Sequence, residues 1–222
     1  MAPVRFIYFD LGNVLLKFSV RRLLHQTAEL LEIDEQRVRA VMFENKRYQD
    51  LESGRITGRE YFHSLCEGFG KPIPLEPFLE ATKNIFWVNE TLLRIARHLS
   101  KKFFPRGILS NVGPNHWTYV HEAFPRIWEL FPQHQIASFE AGCMKPFPEI
   151  YQIAYRSACE EVRGIKPEEI LLIDDLAENI AAAEAAGWQG VVYEQDDALV
   201  AALKEKGIPV PEIPESPMGE NG

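Results

Sequence analysis

Two kinds of apolar pattern alternate along the chain. Four short runs are apolar at successive positions: Phe6–Phe9, Arg106–Asn111, Glu169–Asp175 and Gly190–Tyr193. Period alone does not separate a buried strand from a buried helix at this length, but brevity and, in the first run, aromatic content favour strands. Strands that are apolar throughout belong to a parallel sheet covered on both faces. Between these runs the apolar positions recur at helical spacing. Asn89–Lys102 gathers Leu92, Leu93, Ile95, Ala96 and Leu99 on one side, and Pro148–Arg163 does the same with Ile150, Ile153, Ala154 and Ala158. Glu178–Ala186 reads as a helix that stops at Gly187, a residue suited to a left-handed closing turn. The alternation over Arg5–Gly12 and Asn89–Leu203 predicts right-handed βαβ units, an α/β fold with a doubly wound, Rossmann-like parallel sheet.

The stretch Ser19–Trp87 breaks the alternation. It is helical in pattern and carries no strand signal, with Gly54, Gly58, Gly68, Gly70, Pro72 and Pro74 as punctuation. The expected organisation is a core domain of residues 1–17 and 88–211, and a small helical cap, 18–87, inserted after the first strand. The Pro-, Gly- and Glu-rich tail, 212–222, is expected to be poorly ordered.

Charge narrows the partners. With 24 basic and 32 acidic side chains the net charge is −8 and the pI near 5.3, which argues against a nucleic-acid surface. An anionic substrate stays compatible, because a pocket can be locally positive in an acidic protein. Three scattered cysteines, Cys66, Cys143 and Cys159, make neither a disulfide framework nor a zinc site. The N-terminus lacks the apolar core of a signal peptide, and no apolar stretch approaches the ~18 residues of a membrane span. A cytoplasmic protein with no membrane partner is expected, and oligomeric state is not legible.

In an open parallel sheet, ligands bind outside the carboxyl ends of the strands. Here the predicted strand ends carry Asp10, then Ser110 with Asn111, then Asp174 with Asp175. Parallel neighbours lie about 4.8 Å apart, so residues at adjacent ends meet. Two close carboxylates are unfavourable unless one protonates or a cation lies between them, and a hard divalent ion such as Mg²⁺ resolves the conflict. Lys145, in the segment GCMKP, adds a positive charge near the same face. An aspartate nucleophile, a cation, a Ser–Asn pair and a lysine suit phosphoryl transfer, where catalysis is mostly positioning and charge stabilisation.

These segments resemble the four ordered motifs of the haloacid dehalogenase superfamily of hydrolases, members of which carry a helical cap after the first strand. FDLGNVL matches the first motif, LSN the second, the MKP lysine the third and LIDDLAENI the fourth, over about Phe6 to Tyr193. The resemblance implies Asp10 as nucleophile, Ser110 and Asn111 as phosphate contacts and Lys145 as a catalytic and phosphate-binding lysine. It also implies Asp10, the Gly12 carbonyl and Asp175 as Mg²⁺ ligands. Asp174 stands where many members have glycine, and Asn179 where many have a second aspartate; both are read as supporting the site. In style the motifs are most similar to the branch containing an α-D-glucose-1-phosphate phosphatase. The doubled acid also resembles the phosphatase domain of soluble epoxide hydrolases.

One position departs from the pattern. Most phosphatases of the superfamily have an aspartate two residues after the nucleophile, and it protonates the leaving oxygen. Gly12 keeps a carbonyl for the metal but offers no acid, a loss typically worth about 10²–10⁴-fold. The cap histidines His25 and His63 are candidate substitutes. The expected function is a Mg²⁺-dependent phosphatase of a small phosphorylated metabolite, sugar phosphates among the candidates. Rivals are a metal-independent haloacid dehalogenase of the same fold and a non-catalytic phosphate-binding module.

Overall fold

A computed structural model describes residues 2–212 of the chain. The tail expected to be poorly ordered lies outside the described residues, apart from Glu212. The chain enters through β1 (Phe6–Phe9) and β2 (Leu16–Phe18) and then forms five consecutive helices: α1 (Val20–Leu31), α2 (Glu35–Phe43), α3 (Lys46–Glu52), α4 (Gly58–Phe69) and α5 (Leu75–Lys83). It returns through β3 (Phe86–Val88). The remainder runs α6 (Glu90–Lys101), β4 (Arg106–Ser110), α7 (Pro114–Ala123), α8 (Pro125–Trp128), β5 (Gln135–Ala137), α9 (Ser138–Ala141), α10 (Pro148–Glu161), β6 (Ile170–Asp174), α11 (Ala177–Ala185), β7 (Gln189–Val192) and α12 (Asp196–Glu205).

The main sheet is parallel and five-stranded, in the order β5-β4-β1-β6-β7. Alternate residues of its strands feed two apolar layers. Ile7, Phe9, Ile108, Leu171 and Ile173 pack with α6, α7 and α12, while Phe6, Tyr8, Leu109, Leu172 and Ile170 pack with α10 and α11. Both faces are covered, which is why the strands read as unbroken apolar runs. β1 connects onward toward β4 and β6 toward β7, on opposite sides of the sheet. The crevice between β1 and β6 is therefore the switch point of a doubly wound sheet, the usual place for a ligand.

Three short strands escaped the sequence. β5 is only QIA, too short for any periodicity. β2 and β3 pair antiparallel across the two ends of the insert, with Lys17 opposite Trp87, so the stretch expected to be wholly helical ends in a strand. This two-stranded clasp ties the insert's entry to its exit. The inserted helices bury their own apolar cluster, including Leu24, Val38, Tyr61, Leu65 and Phe78. Capping explains their boundaries. Ser19, Asp34, Asn45 and Thr57 accept from backbone N–H groups of the first turn, and Thr57 with Glu60 forms a reciprocal capping box. Asn45, capping α3, separates it from α2.

The end of α3 rests on the core. Ser138, fully buried, donates from its hydroxyl to the Glu52 carbonyl and accepts from the Val112 N–H at 3.0 Å. Gly54, at φ 69°, approaches so closely that a Cβ there would lie 2.2 Å from the Phe139 carbonyl oxygen. This contact fixes where the helical insert stands over the strand ends.

Candidate active site

Register brings the predicted residues together. Phe9 lies opposite Ile173, and the Asp10 N–H bonds the Ile173 carbonyl at 2.9 Å, so Asp10 stands level with Asp174. Asp10 is buried, and its Oδ1 accepts from the Leu11 N–H at 2.7 Å and lies 3.0 Å from Lys145 Nζ. Lys145 is buried to 1% exposure and uses all three ammonium donors: Asp10, Asp174 Oδ2 at 2.5 Å and the Leu109 carbonyl at 2.8 Å. Burial alone would lower its pKa; the flanking carboxylates overcome this and raise it, keeping the ammonium charged. Lys145 is thus a bridge between two strand ends, a more specific place than a charge near one face.

The second motif divides its work. Asn111 Oδ1 accepts from the Lys145 N–H at 2.8 Å and its Nδ2 donates to the Lys145 carbonyl at 2.8 Å. This pair clips the lysine loop to the end of β4, and it occupies the side chain that the motif assigns to phosphate. Ser110 Oγ makes only a 3.5 Å contact to the Asn111 carbonyl among the described residues, so its hydroxyl is available.

The doubled acid also divides. Asp174 is fully buried; its Oδ1 accepts from the Leu176 N–H at 2.9 Å and from Asn179 Nδ2 at 2.8 Å, while Oδ2 takes Lys145. Asp175 is half-buried, and its Oδ2 accepts from Asn13 Nδ2 at 3.0 Å. Asn13 is an addition the sequence pattern did not single out. It sits at φ 54°, a conformation asparagine tolerates better than most residues, and there its amide reaches across the crevice.

Asp10, Asp174 and Asp175 each offer an oxygen, and these lie within 4.8 Å of one another. Both Asp174 oxygens are already bonded, so the pair left to hold a cation is Asp10 with Asp175. Three carboxylates gather around one buried ammonium, with the partly exposed Lys17 acting on Asp175 from the side. Burial pushes the Asp10 carboxyl above the usual carboxylate range, Lys145 pulls it back, and Asp174 and Asp175 add to the rise. That imbalance is the one a divalent cation relieves. The donor set therefore fits Mg²⁺.

Above the strand ends lies a chamber of about 110 Å³. Gly12, Ser110 and Asn111 form its floor; Phe18, Tyr48, Glu52, Phe86 and His116 are among its walls. Neither cap histidine expected as an acid lines it. His25 is exposed and pairs with Glu29 at 3.5 Å and Glu35 at 3.1 Å, and His63 faces a separate cavity inside the insert. The ionisable carboxyl that does face the floor is Glu52, at the end of α3. Burial pushes it up to about 7, against the Tyr48 hydroxyl and the Lys145 charge, which favour its carboxylate. His116 is pushed down to about 4 by burial and is a neutral imidazole. Glu52 lies in the segment LESGRITGREYF, whose clustered Gly and Ser signal a turn; nothing in its spacing distinguishes this glutamate from its neighbours.

An acidic, cation-fitting centre at the switch point of a doubly wound sheet, beneath a helical insert, is the site of a hydrolase with an α/β fold. A model of the haloacid dehalogenase-like hydrolases matches residues 4–187, and the chain belongs to that family. D-ribitol-5-phosphate phosphatase of Bacteroides thetaiotaomicron is 22% identical over 201 residues, 84% of this chain and 90% of that protein. A haloacid dehalogenase-family enzyme from the same organism, solved with magnesium and inorganic phosphate, superposes with a TM-score of 0.71 at 23% identity, over 86% of this chain and 94% of that one. L-2-haloacid dehalogenase of Xanthobacter autotrophicus superposes with a TM-score of 0.61 at 18% identity, over 93% and 84%. At these identities the solved structures bear on the fold. Among the described residues no helix is long and apolar enough to cross a membrane.

Proposed function

We propose that the chain is a Mg²⁺-dependent phosphomonoesterase acting on a small phosphorylated metabolite through an aspartyl-phosphate at Asp10. The observation that carries this is the triangle of Asp10, Lys145 and Asp174 with Asp175 at its open side. An Asp10 carboxylate oxygen attacks phosphorus, the ester P–O bond breaks, and the departing alkoxide takes a proton. Water then attacks the phosphorus of the aspartyl-phosphate, the P–O bond to Asp10 breaks, and inorganic phosphate leaves with the carboxylate restored. Lys145 holds Asp10 in place and offsets its charge, and the Ser110 hydroxyl faces the phosphoryl oxygens. Asp10, Asp175 and the Gly12 carbonyl would hold Mg²⁺, which would supply charge neutralisation for the phosphoryl group.

The proton for the leaving oxygen needs a donor, since Gly12 has none. Among the described residues lining the chamber, Glu52 is the group whose ionisation falls near neutrality; Tyr48 is held well above its usual value by burial, and His116 well below. We assign the acid role to Glu52, standing on the cap side of the site.

Asp10→Asn tests the reading. It should abolish steady-state phosphate release while circular dichroism and the unfolding transition persist; retained turnover would remove Asp10 as nucleophile. The substrate panel should include sugar 1-phosphates and polyol phosphates, the latter because the curated relative is named for one, with and without Mg²⁺. The dehalogenase reading places three acids in a metal-free site, where Lys145 pairs with only two of them. Chloride release from a 2-haloacid without Mg²⁺ would revive it. Phosphate-analogue binding without turnover across the panel would favour the binding-module reading.

A further inference from the structure

The insert contains a second cavity, of about 480 Å³, within the ~300–1,000 Å³ range of small-molecule sites. Leu23, Phe43, Tyr48 and His116 line both it and the chamber over Asp10, so the two spaces adjoin across a single layer of side chains. Deeper in, its walls include Met42, Leu65, Phe78 and Leu79. We propose that the substrate's leaving group carries an apolar chain that passes from the chamber into this cavity, with the phosphate at Ser110, beside Asp10. This deepens the phosphatase reading above and rests on it for the identity of the head group.

The polar groups of the cavity favour such a tail over a polyol. The Tyr61 hydroxyl already donates to the Met42 carbonyl at 3.1 Å, and the Thr82 hydroxyl to the Leu79 carbonyl at 3.0 Å. Arg59, His63 and Asn115 are exposed and stand toward solvent, apart from the buried apolar walls. His116, at the junction, is a neutral ring set edge-on to Phe86 at 5.2 Å. A polyol entering here would lose water at each hydroxyl and find few free partners. A methylene chain loses only its contact with water, which is the favourable direction. The cavity shares Leu23, Phe43, Tyr48 and His116 with the chamber, so a tail leaving the chamber past these side chains enters it.

Chain length is the readout. Phosphate release from 1-alkyl phosphates, ethyl to decyl, is measured with Mg²⁺ beside ribitol 5-phosphate, glucose 1-phosphate and p-nitrophenyl phosphate. Binding of the matching alkylphosphonates is measured by calorimetry. Each added methylene should raise kcat/KM and phosphonate affinity about threefold to fourfold until the cavity is filled. Leu79→Trp, which narrows the cavity without touching the chamber, should lower the octyl-to-ethyl ratio at least tenfold. A flat alkyl series in both assays, or polyol phosphates outperforming octyl phosphate, overturns the inference. Loss of hydrolysis of every ester with chain-dependent phosphonate binding would instead sink the phosphatase reading and leave the apolar site standing.

Discussion

Lys145 Nζ lies 2.5 Å from Asp174 Oδ2, with both side chains buried at the end of β6. The pair does more than neutralise charge. Asp174 is anchored by Leu176 and Asn179, and through Lys145 that anchorage is passed to Asp10 on the neighbouring strand. Removing the cation strands two buried carboxylates, whereas neutralising Asp174 leaves Lys145 still paired with Asp10 and the Leu109 carbonyl. Lys145→Met should therefore lower the unfolding free energy by ~3–5 kcal/mol, and Asp174→Asn by ~1–3 kcal/mol. Urea denaturation in EDTA measures both; equal losses would contradict a central role for the lysine.

Asp175 makes the opposite prediction. It is half-buried and, among the described residues, takes one hydrogen bond, from Asn13. Asp175→Asn should leave the thermal transition within ~0.5 kcal/mol of the parent but weaken Mg²⁺ binding at least tenfold in calorimetry. Unchanged Mg²⁺ affinity would move the metal away from this carboxylate.

Glu52 ties stability to pH. Burial raises its folded pKa to about 7, from an ordinary value of 4.5. The folded state therefore keeps a proton that the unfolded chain releases between those values. The contribution is full below the unfolded pKa and is lost as pH rises through about 7. Glu52→Gln removes the obligation to ionise. It should be close to neutral at pH 4.5 and stabilising by ~2 kcal/mol above pH 8, a figure reduced for partial solvent access. Chemical denaturation at the two pH values reads the difference, and a pH-independent effect would mean that the carboxyl is not held protonated.

The parallel core was legible because both faces of its strands are buried, leaving FIYF and ILLI without a charged position. QIA was not, since three residues carry no period. Asp10, Ser110, Asn111 and Asp175 share one crevice because each stands at or just past the end of a strand whose register is set by the core, and Lys145 reaches it from the loop before α10. What the sequence concealed was which atom each group spends, and on what. The Asn111 amide clips the Lys145 backbone, and Asn13 reaches Asp175 only through a left-handed turn. Glu52 was hidden for a different reason. Its position depends on α3 landing on α9 through Ser138 and Gly54, a contact between segments 86 residues apart that no local pattern encodes.

The glycine two places after Asp10 sharpens the assignment of Glu52. A Cβ on Gly12 would lie 3.1 Å from Phe18 Cε1, and Phe18 is a half-buried ring at the end of the short strand β2. A shift of a few tenths of an ångström there admits a larger side chain, so Gly12→Asp is structurally tolerable. If Glu52 protonates the leaving oxygen, Glu52→Gln should slow alkyl phosphates by ~10²-fold, the low end for a general acid, and leave aryl phosphates, whose leaving groups need little help, within about threefold. Adding Gly12→Asp to that variant should return at least tenfold of the alkyl rate while barely moving the aryl rate. Relative kcat values on octyl and p-nitrophenyl phosphate decide the matter. Equal losses on both substrates in Glu52→Gln would assign the glutamate to binding or folding, and failure of Gly12→Asp to rescue a selective loss would show that proton delivery comes only from the cap side of the chamber.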